Sequence, residues 1–186
     1  MLDEILANNE RFLQERTLAH IGHAPRKRTA VVTCMDCRLV RMFEDALGLE
    51  RGEVLELRTA GATISPPERA GASSDLIRSL AGGIYLLGVR EVLVVGHTEC
   101  GLAHANPAAL TASMQALGVD PQRLIDQEGL DNTNGLLRWL GAFQDVHLNV
   151  KEVVDVIRSS PFLPRIPVHG LVIDIQTGKL SVVDQG

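Results

Sequence analysis

Apolar positions along the chain change period several times, and each change marks an element. At the start, Leu2, Ile5, Leu6, Phe12 and Leu13 recur near helical spacing among acidic and amide residues, which predicts an amphipathic helical arm over 1–16. TAVVTC (29–34) and EVLELRTAG (53–61) are short apolar runs between polar turns and predict strands. The stretch VRMFEDALGL between them predicts a short helix that Gly48 weakens or ends. A second helix is expected at roughly 69–87, with Leu76, Ile77, Leu80, Ile84 and Leu87 on one face and Gly82 and Gly83 allowing close packing. REVLVVGHTECG is a third strand, nearly all apolar and running into a loop, as a parallel strand covered on both faces requires.

From His104 to about Gly135 the strand signal lapses. NPAALTASMQALG has an Asn cap, Pro at the first helical position and Gly after the end, and DPQRLIDQEG repeats that grammar, so both predict short helices in a peripheral excursion. NVKEVVDVIRSSP predicts a helix that stops before Pro161, and HGLVIDIQTGKLSVV a terminal β-hairpin turning at Thr177 and Gly178. Successive β-α units with apolar strands give a parallel sheet with right-handed crossovers. The expected architecture is a single domain over 1–186, a three-layer α/β/α fold. Its central sheet is mainly parallel with a C-terminal antiparallel hairpin, and a helical arm precedes it.

The 186 residues suffice for one domain with a sizeable core. A net charge of -5 without a long Lys/Arg run argues against a nucleic-acid or anionic-membrane partner, and PRKR (25–28) reads as a solvated lead-in to a strand. MLDEILANNERFLQER is acidic where a secretory signal starts basic and apolar, and no later stretch is long and apolar enough to cross a bilayer. A cytoplasmic location is therefore expected. Thiols stay reduced there, and three cysteines, an odd number, fit metal binding or catalysis better than a disulfide framework.

If strand 2 pairs on one side of strand 1 and strand 3 on the other, the carboxyl ends of strands 1 and 3 meet where ligands gather in open parallel sheets. Cys34 ends the first of these strands; His97 and Cys100 follow the third. Two thiolates and one imidazole suit zinc. Cys37, three residues past Cys34, keeps two other readings open. One is a closed Cys₃His structural zinc site; the other is a thioredoxin-like redox pair at a strand end. Neither uses Asp36 or Arg38, and the redox pair leaves His97 and Cys100 idle.

Cys34-Met35-Asp36-Cys37-Arg38 resembles the Cys-x-Asp-x-Arg motif of the β-class carbonic anhydrases, and His97-Thr98-Glu99-Cys100-Gly101 their His-x-x-Cys-Gly motif. RTAGATIS (58–65) is similar to the Arg-Asn-Ala-Gly stretch between them, and HGLVIDIQTGKL to the family's closing hairpin. The order matches over nearly the whole chain, most closely to the short, archaeal-type members. The resemblance implies one zinc per chain on Cys34, His97 and Cys100, with a hydroxide in the fourth position that attacks CO₂ to give bicarbonate. It implies that Asp36 accepts the hydroxide's hydrogen bond and that Arg38 clamps Asp36; in some members the aspartate moves onto zinc when that clamp is lost. It also implies a homodimer or larger homo-oligomer, built through the sheet edge and N-terminal helices. Carbonyl sulfide and carbon disulfide hydrolases share the scaffold and give the alternative substrates.

The departures from the family pattern are specific. Cys37 stands where Ser or Ala is usual and is taken as a small neighbour. Thr59 and Ala62 replace expected amides, and Glu99 stands where Asp is frequent. Gly61 and Gly101 are expected to serve tight turns near the metal. His104 is a candidate proton carrier, although an exposed loop histidine is the simpler reading. His20, His23, His147 and His169 have no partner motif.

Overall fold

The structure, a computed structural model, describes residues 1–64 and 74–186. Its strands are β1 (Thr29–Cys34), β2 (Val54–Thr59), β3 (Glu91–His97), β4 (Val168–Ile173) and β5 (Leu180–Asp184). The helices are α1 (Leu2–Glu15), α2 (Met42–Leu47), α3 (Asp75–Leu87), α4 (Pro107–Ala116), α5 (Pro121–Glu128), α6 (Thr133–Trp139) and α7 (Val146–Ser159). The sheet runs β2-β1-β3-β4-β5. β1 pairs in parallel with β2 and β3, β3 in parallel with β4, and β4 antiparallel with β5. The strand order therefore reverses at β1, as expected, and the first strand of the closing hairpin also extends the parallel sheet.

All six residues of β1 are buried because layers cover both its faces. Ala30 and Val32 pack with Leu80 and Ile84 of α3 and with Val150 and Val154 of α7. Val31 packs on the opposite side with Leu39, Phe43, Val95 and Ile173, in the cluster that also holds Cys34 and Cys100. Close approach of α7 depends on missing side chains in the strands. A Cβ at Gly96 would lie 2.7 Å from Val146, and one at Gly170 would lie 2.8 Å from Val150. Gly83 of α3 has the packing role expected of it, since a Cβ there would meet Leu55 at 2.7 Å; Gly82 has no described neighbour within 4 Å.

Several element boundaries differ from the sequence expectation, each for a local reason. β2 stops at Thr59, where Ala60–Ala62 turn in a 3₁₀ loop with Gly61 at φ 65°. α3 starts at Asp75 behind a Ser74 cap, and the expected residues 69–73 lie outside the described ones. α6 is unanticipated: Asn132 caps it through the N–H groups of Asn134 and Gly135, but a seven-residue helix carrying a glycine has little periodicity to show. α7 begins at Val146, because Asp145 caps His147 and Leu148. α1 forms as predicted, and no residue of it is buried.

Candidate metal centre

Parallel pairing of β1 with β3 brings both strand ends to one edge of the sheet, so Cys34 and His97 arrive side by side. Beyond His97 the chain reverses through Glu99, whose φ is 54°, and returns Cys100 to the same spot. The three side chains are 3%, 1% and 3% exposed. Their ligand atoms all lie within 4.8 Å of one another, and Cys34 Sγ and Cys100 Sγ are 4.0 Å apart.

His97 presents one ring nitrogen to this group. Its Nδ1 lies 2.8 Å from the Thr98 carbonyl, which can only accept, so Nδ1 carries the proton and Nε2 keeps a free lone pair. Nε2 is buried and has no hydrogen-bond partner among the described residues. A buried ring nitrogen with its lone pair turned toward two thiols is well placed to share a cation with them, and an outer carbonyl that fixes the ring is the usual support of a metal-binding histidine. The two buried thiols touch, and that contact favours a thiolate on one of them, drawing Cys34 down and pushing Cys100 up, while burial raises both. A soft divalent ion would stabilise both as thiolates. The residues present thus fit a metal of the zinc type.

Asp36 stands beside this group, outside the hydrogen-bonded interior. Its Oδ2 is 3.7 Å from His97 Nε2. The carboxylate caps the 3₁₀ turn Cys37–Leu39, accepting from Arg38 N at 2.9 Å, and the Arg38 side chain grips it twice: Nε to Oδ1 at 3.0 Å and Nη2 to Oδ2 at 2.7 Å. This two-pronged contact holds its pKa at about 2. The same Nη2 donates to the Glu99 carbonyl at 2.8 Å, which ties the clamp to the loop between His97 and Cys100.

Cys37 is exposed and lies outside the metal-competent group, and all three cysteines are free thiols. The cap formed by Asp36 winds the chain into a tight turn and leaves Cys37 on the outer side. Neither the Cys₃His set nor a Cys34–Cys37 pair is assembled; the sulfur facing Cys34 is that of Cys100.

Two residues of the surroundings went unnoticed in the sequence. Arg58, from β2, approaches the Cys34 carbonyl at 3.5 Å, pairs with Glu44 at 2.9 Å and with Glu56, and lies over the Phe43 ring. It opens the RTAG stretch, which was its available signal. Asn149 is buried in α7 and donates from Nδ2 to the Gly61 carbonyl at 3.0 Å, fixing the 60–62 turn; a polar residue on an apolar helix face was the clue. Gly61 has the turn role expected of it. Gly101 opens the 3₁₀ turn Gly101–His104 beside Cys100, as expected, but with an ordinary φ and no close neighbour among the described residues, so the turn does not require glycine there. Thr59 donates to the Thr63 carbonyl at 3.0 Å, and Ala62 is buried at φ 55°. His104 is exposed.

The carbonic anhydrase family model matches residues 29–180. The crystal structure of β-carbonic anhydrase isoform I from Trichomonas vaginalis superposes with a TM-score of 0.89 at 36% identity, covering 100% of this chain and 98% of that one. Beta-carbonic anhydrase 1 of Mycobacterium tuberculosis is 30% identical over 184 residues, 97% of this chain and 96% of that protein. Carbon disulfide hydrolase of Acidithiobacillus thiooxidans is 29% identical over 167 residues, 86% of this chain and 79% of that protein.

Proposed function

This chain belongs to the β-carbonic anhydrase family, and from that premise we infer that it is a zinc-dependent carbonate dehydratase, converting CO₂ and water to bicarbonate and a proton. Cys34, His97 and Cys100 would hold one zinc per chain. When bound, zinc supplies a Lewis-acidic position at which water ionises near neutral pH. The observation that carries the reading is the buried, unpartnered His97 Nε2 facing two thiols, with a separately clamped carboxylate 3.7 Å away.

The chain's own residues supply orientation. Asp36, with its pKa near 2, is ionised throughout the neutral range and can only accept a hydrogen bond. It takes the proton side of the nucleophile and turns a lone pair toward the carbon of CO₂. Arg38 fixes both carboxylate oxygens, so Asp36 keeps that direction and stays off the metal position. The group acts as one pre-set acceptor, which costs no reorganisation when charge moves. Carbonyl sulfide and carbon disulfide offer the same attack on a linear molecule, and no feature of the site among the described residues favours them over CO₂.

Stopped-flow CO₂ hydration by reduced, zinc-replete protein over about pH 6 to 9 tests this, with carbonyl sulfide in parallel and zinc assayed on the same sample. The expected result is about one zinc per chain and a rate that rises with pH through a single ionisation. Cys37→Ser is expected to keep both, because that thiol is exposed and outside the ligand group. Full zinc with hydrolysis of carbonyl sulfide alone moves the assignment to that substrate. Full zinc without turnover of either, regained in Cys37→Ser, restores the closed-site reading.

The same inference includes a homodimer in the cytoplasm. Leu2, Ile5, Leu6 and Leu13 of α1 are all more than half exposed, a stripe that in water asks for an apolar partner. No helix among the described residues is long and apolar enough to cross a membrane. Deleting residues 1–16 is expected to shift the sedimenting mass toward the monomer; an unchanged mass overturns the arm's role.

A further inference from the structure

The loop that leads from His97 at the end of β3 to Cys100 is fastened from outside by the closing hairpin. Asp174 makes the hairpin turn rigid: its Oδ1 accepts from Gln176 N at 3.1 Å, Thr177 N at 2.8 Å and Thr177 Oγ1 at 2.8 Å. The turn closes with Asp174 N donating to the Lys179 carbonyl at 2.8 Å. It is docked on the loop after β3, since Ile175 N donates to Thr98 Oγ1 at 2.9 Å and Thr98 N to the Ile173 carbonyl at 3.0 Å. From this fixed platform Gln176 Nε2 donates to Glu99 Oε2 at 3.0 Å. The same Glu99 oxygen lies 3.8 Å from Arg38 Nη1, while the Glu99 carbonyl takes Arg38 Nη2.

We propose that Gln176 and Glu99 form a strap that positions Arg38, and through it Asp36, over the metal centre, so that the hairpin turn sets the aim of the catalytic carboxylate. Both are positioning residues; neither reaches the reacting atoms. The inference rests on the carbonate dehydratase reading for its rate effect, and on geometry alone for its structural effect.

Three observations support it. Glu99 holds a left-handed backbone conformation that a glycine or asparagine adopts more readily. That conformation is what aims its carbonyl and its carboxylate at one guanidinium. The side chain must also span from the metal loop to Gln176, so an aspartate, one methylene shorter, would lose one contact or the other. Finally, Arg38 is itself half exposed, with 45% of its side chain open to solvent, where water competes for the guanidinium; Glu99 adds a second anchor, its carbonyl taking Nη2 and its carboxylate lying 3.8 Å from Nη1. Even while clamped, the carboxylate lies only 3.7 Å from the His97 nitrogen that faces the two thiols, so its aim depends on Arg38 keeping its place.

The test uses Gln176→Leu, Glu99→Gln and the reference Arg38→Ala in the full-length protein, each loaded with zinc for kinetics and with cobalt(II) for visible absorption. Removing the strap is expected to lower kcat and kcat/KM together, by about twofold to fivefold per bound metal, the scale of an exposed ion pair or hydrogen bond. KM, metal content and thermal midpoint should stay at wild-type values, which a general loosening of the fold would not allow. The cobalt bands should move in the direction seen in Arg38→Ala and by a smaller amount. In an Arg38→Ala background, Gln176→Leu should add nothing to either readout. Cobalt spectra of both strap variants that superimpose on wild type overturn the strap, whether or not the protein hydrates CO₂. An inactive wild type with shifted variant spectra overturns the hydration reading and keeps the strap.

Discussion

Cys100→Ser is expected to leave a folded protein that retains no zinc on dialysis and hydrates CO₂ no faster than buffer. The serine hydroxyl fits the space of the thiol, so the surrounding cluster of Val95, Val31 and Ile173 should hold its packing. The chemistry does not survive the exchange, because a neutral hydroxyl is a poor ligand for a borderline-soft ion and cannot offset its charge. Losing a sulfur that would touch the ion itself should cost more than the ~10–100-fold affinity change typical of losing an outer partner. Cys34→Ser and His97→Ala should act alike, since the three ligand atoms form one cluster within 4.8 Å. Zinc content after dialysis, stopped-flow hydration and a circular dichroism melt on the same preparation separate loss of metal from loss of fold. Stoichiometric zinc with a wild-type rate in Cys100→Ser would place the metal elsewhere.

That these three side chains meet is legible in the sequence, for a physical reason. Strand β1 is an apolar run set between the basic PRKR before it and Met35-Asp36 after it, and the predicted limits 29–34 match the strand. Once β1 is known to sit between β2 and β3, the ends of β1 and β3 must be neighbours, and Cys34 and His97 occupy those ends. Local grammar also placed the caps of α4 and α5. What stayed hidden depended on torsions or on distant contacts. Cys-x-x-Cys spacing allows a shared metal, a redox pair or a single ligand; the choice rests on Asp36 capping a 3₁₀ turn, which no periodicity reports. The meeting of Glu99 with Gln176 joins positions far apart in the chain through exposed polar atoms, where patterning of apolar residues is silent.

Gly61→Ala is expected to produce the largest loss of stability of any single-methyl addition near the site. Its φ of 65° alone costs an L-residue about 1–2 kcal/mol. The space is closed as well: a Cβ would sit 2.7 Å from the Gly141 carbonyl and 2.9 Å from the Phe143 ring. Gly141 is equally confined, since a Cβ built on it would lie 2.7 Å from both the Ala60 carbonyl and Thr63 Oγ1. Overpacking of this kind costs about 1–3 kcal/mol more. The sum, about 2–5 kcal/mol, is a large part of the 5–15 kcal/mol by which a domain of this kind is usually stable. Asn149 holds the carbonyl of the same residue, and Ala62, next in the chain, is fully buried against the cluster containing Cys34 and Cys100. A displaced turn therefore pushes on the metal centre, and zinc retention should fall along with the urea midpoint. Gly82→Ala gives the matched control: it lies in α3 with no described atom within 4 Å, and it should leave the midpoint unchanged or raise it by up to about 1 kcal/mol in stability. Equal urea midpoints for the two variants would mean that the Gly61–Gly141 contact relaxes at no cost, and the coupling between this turn and the site would fall with it.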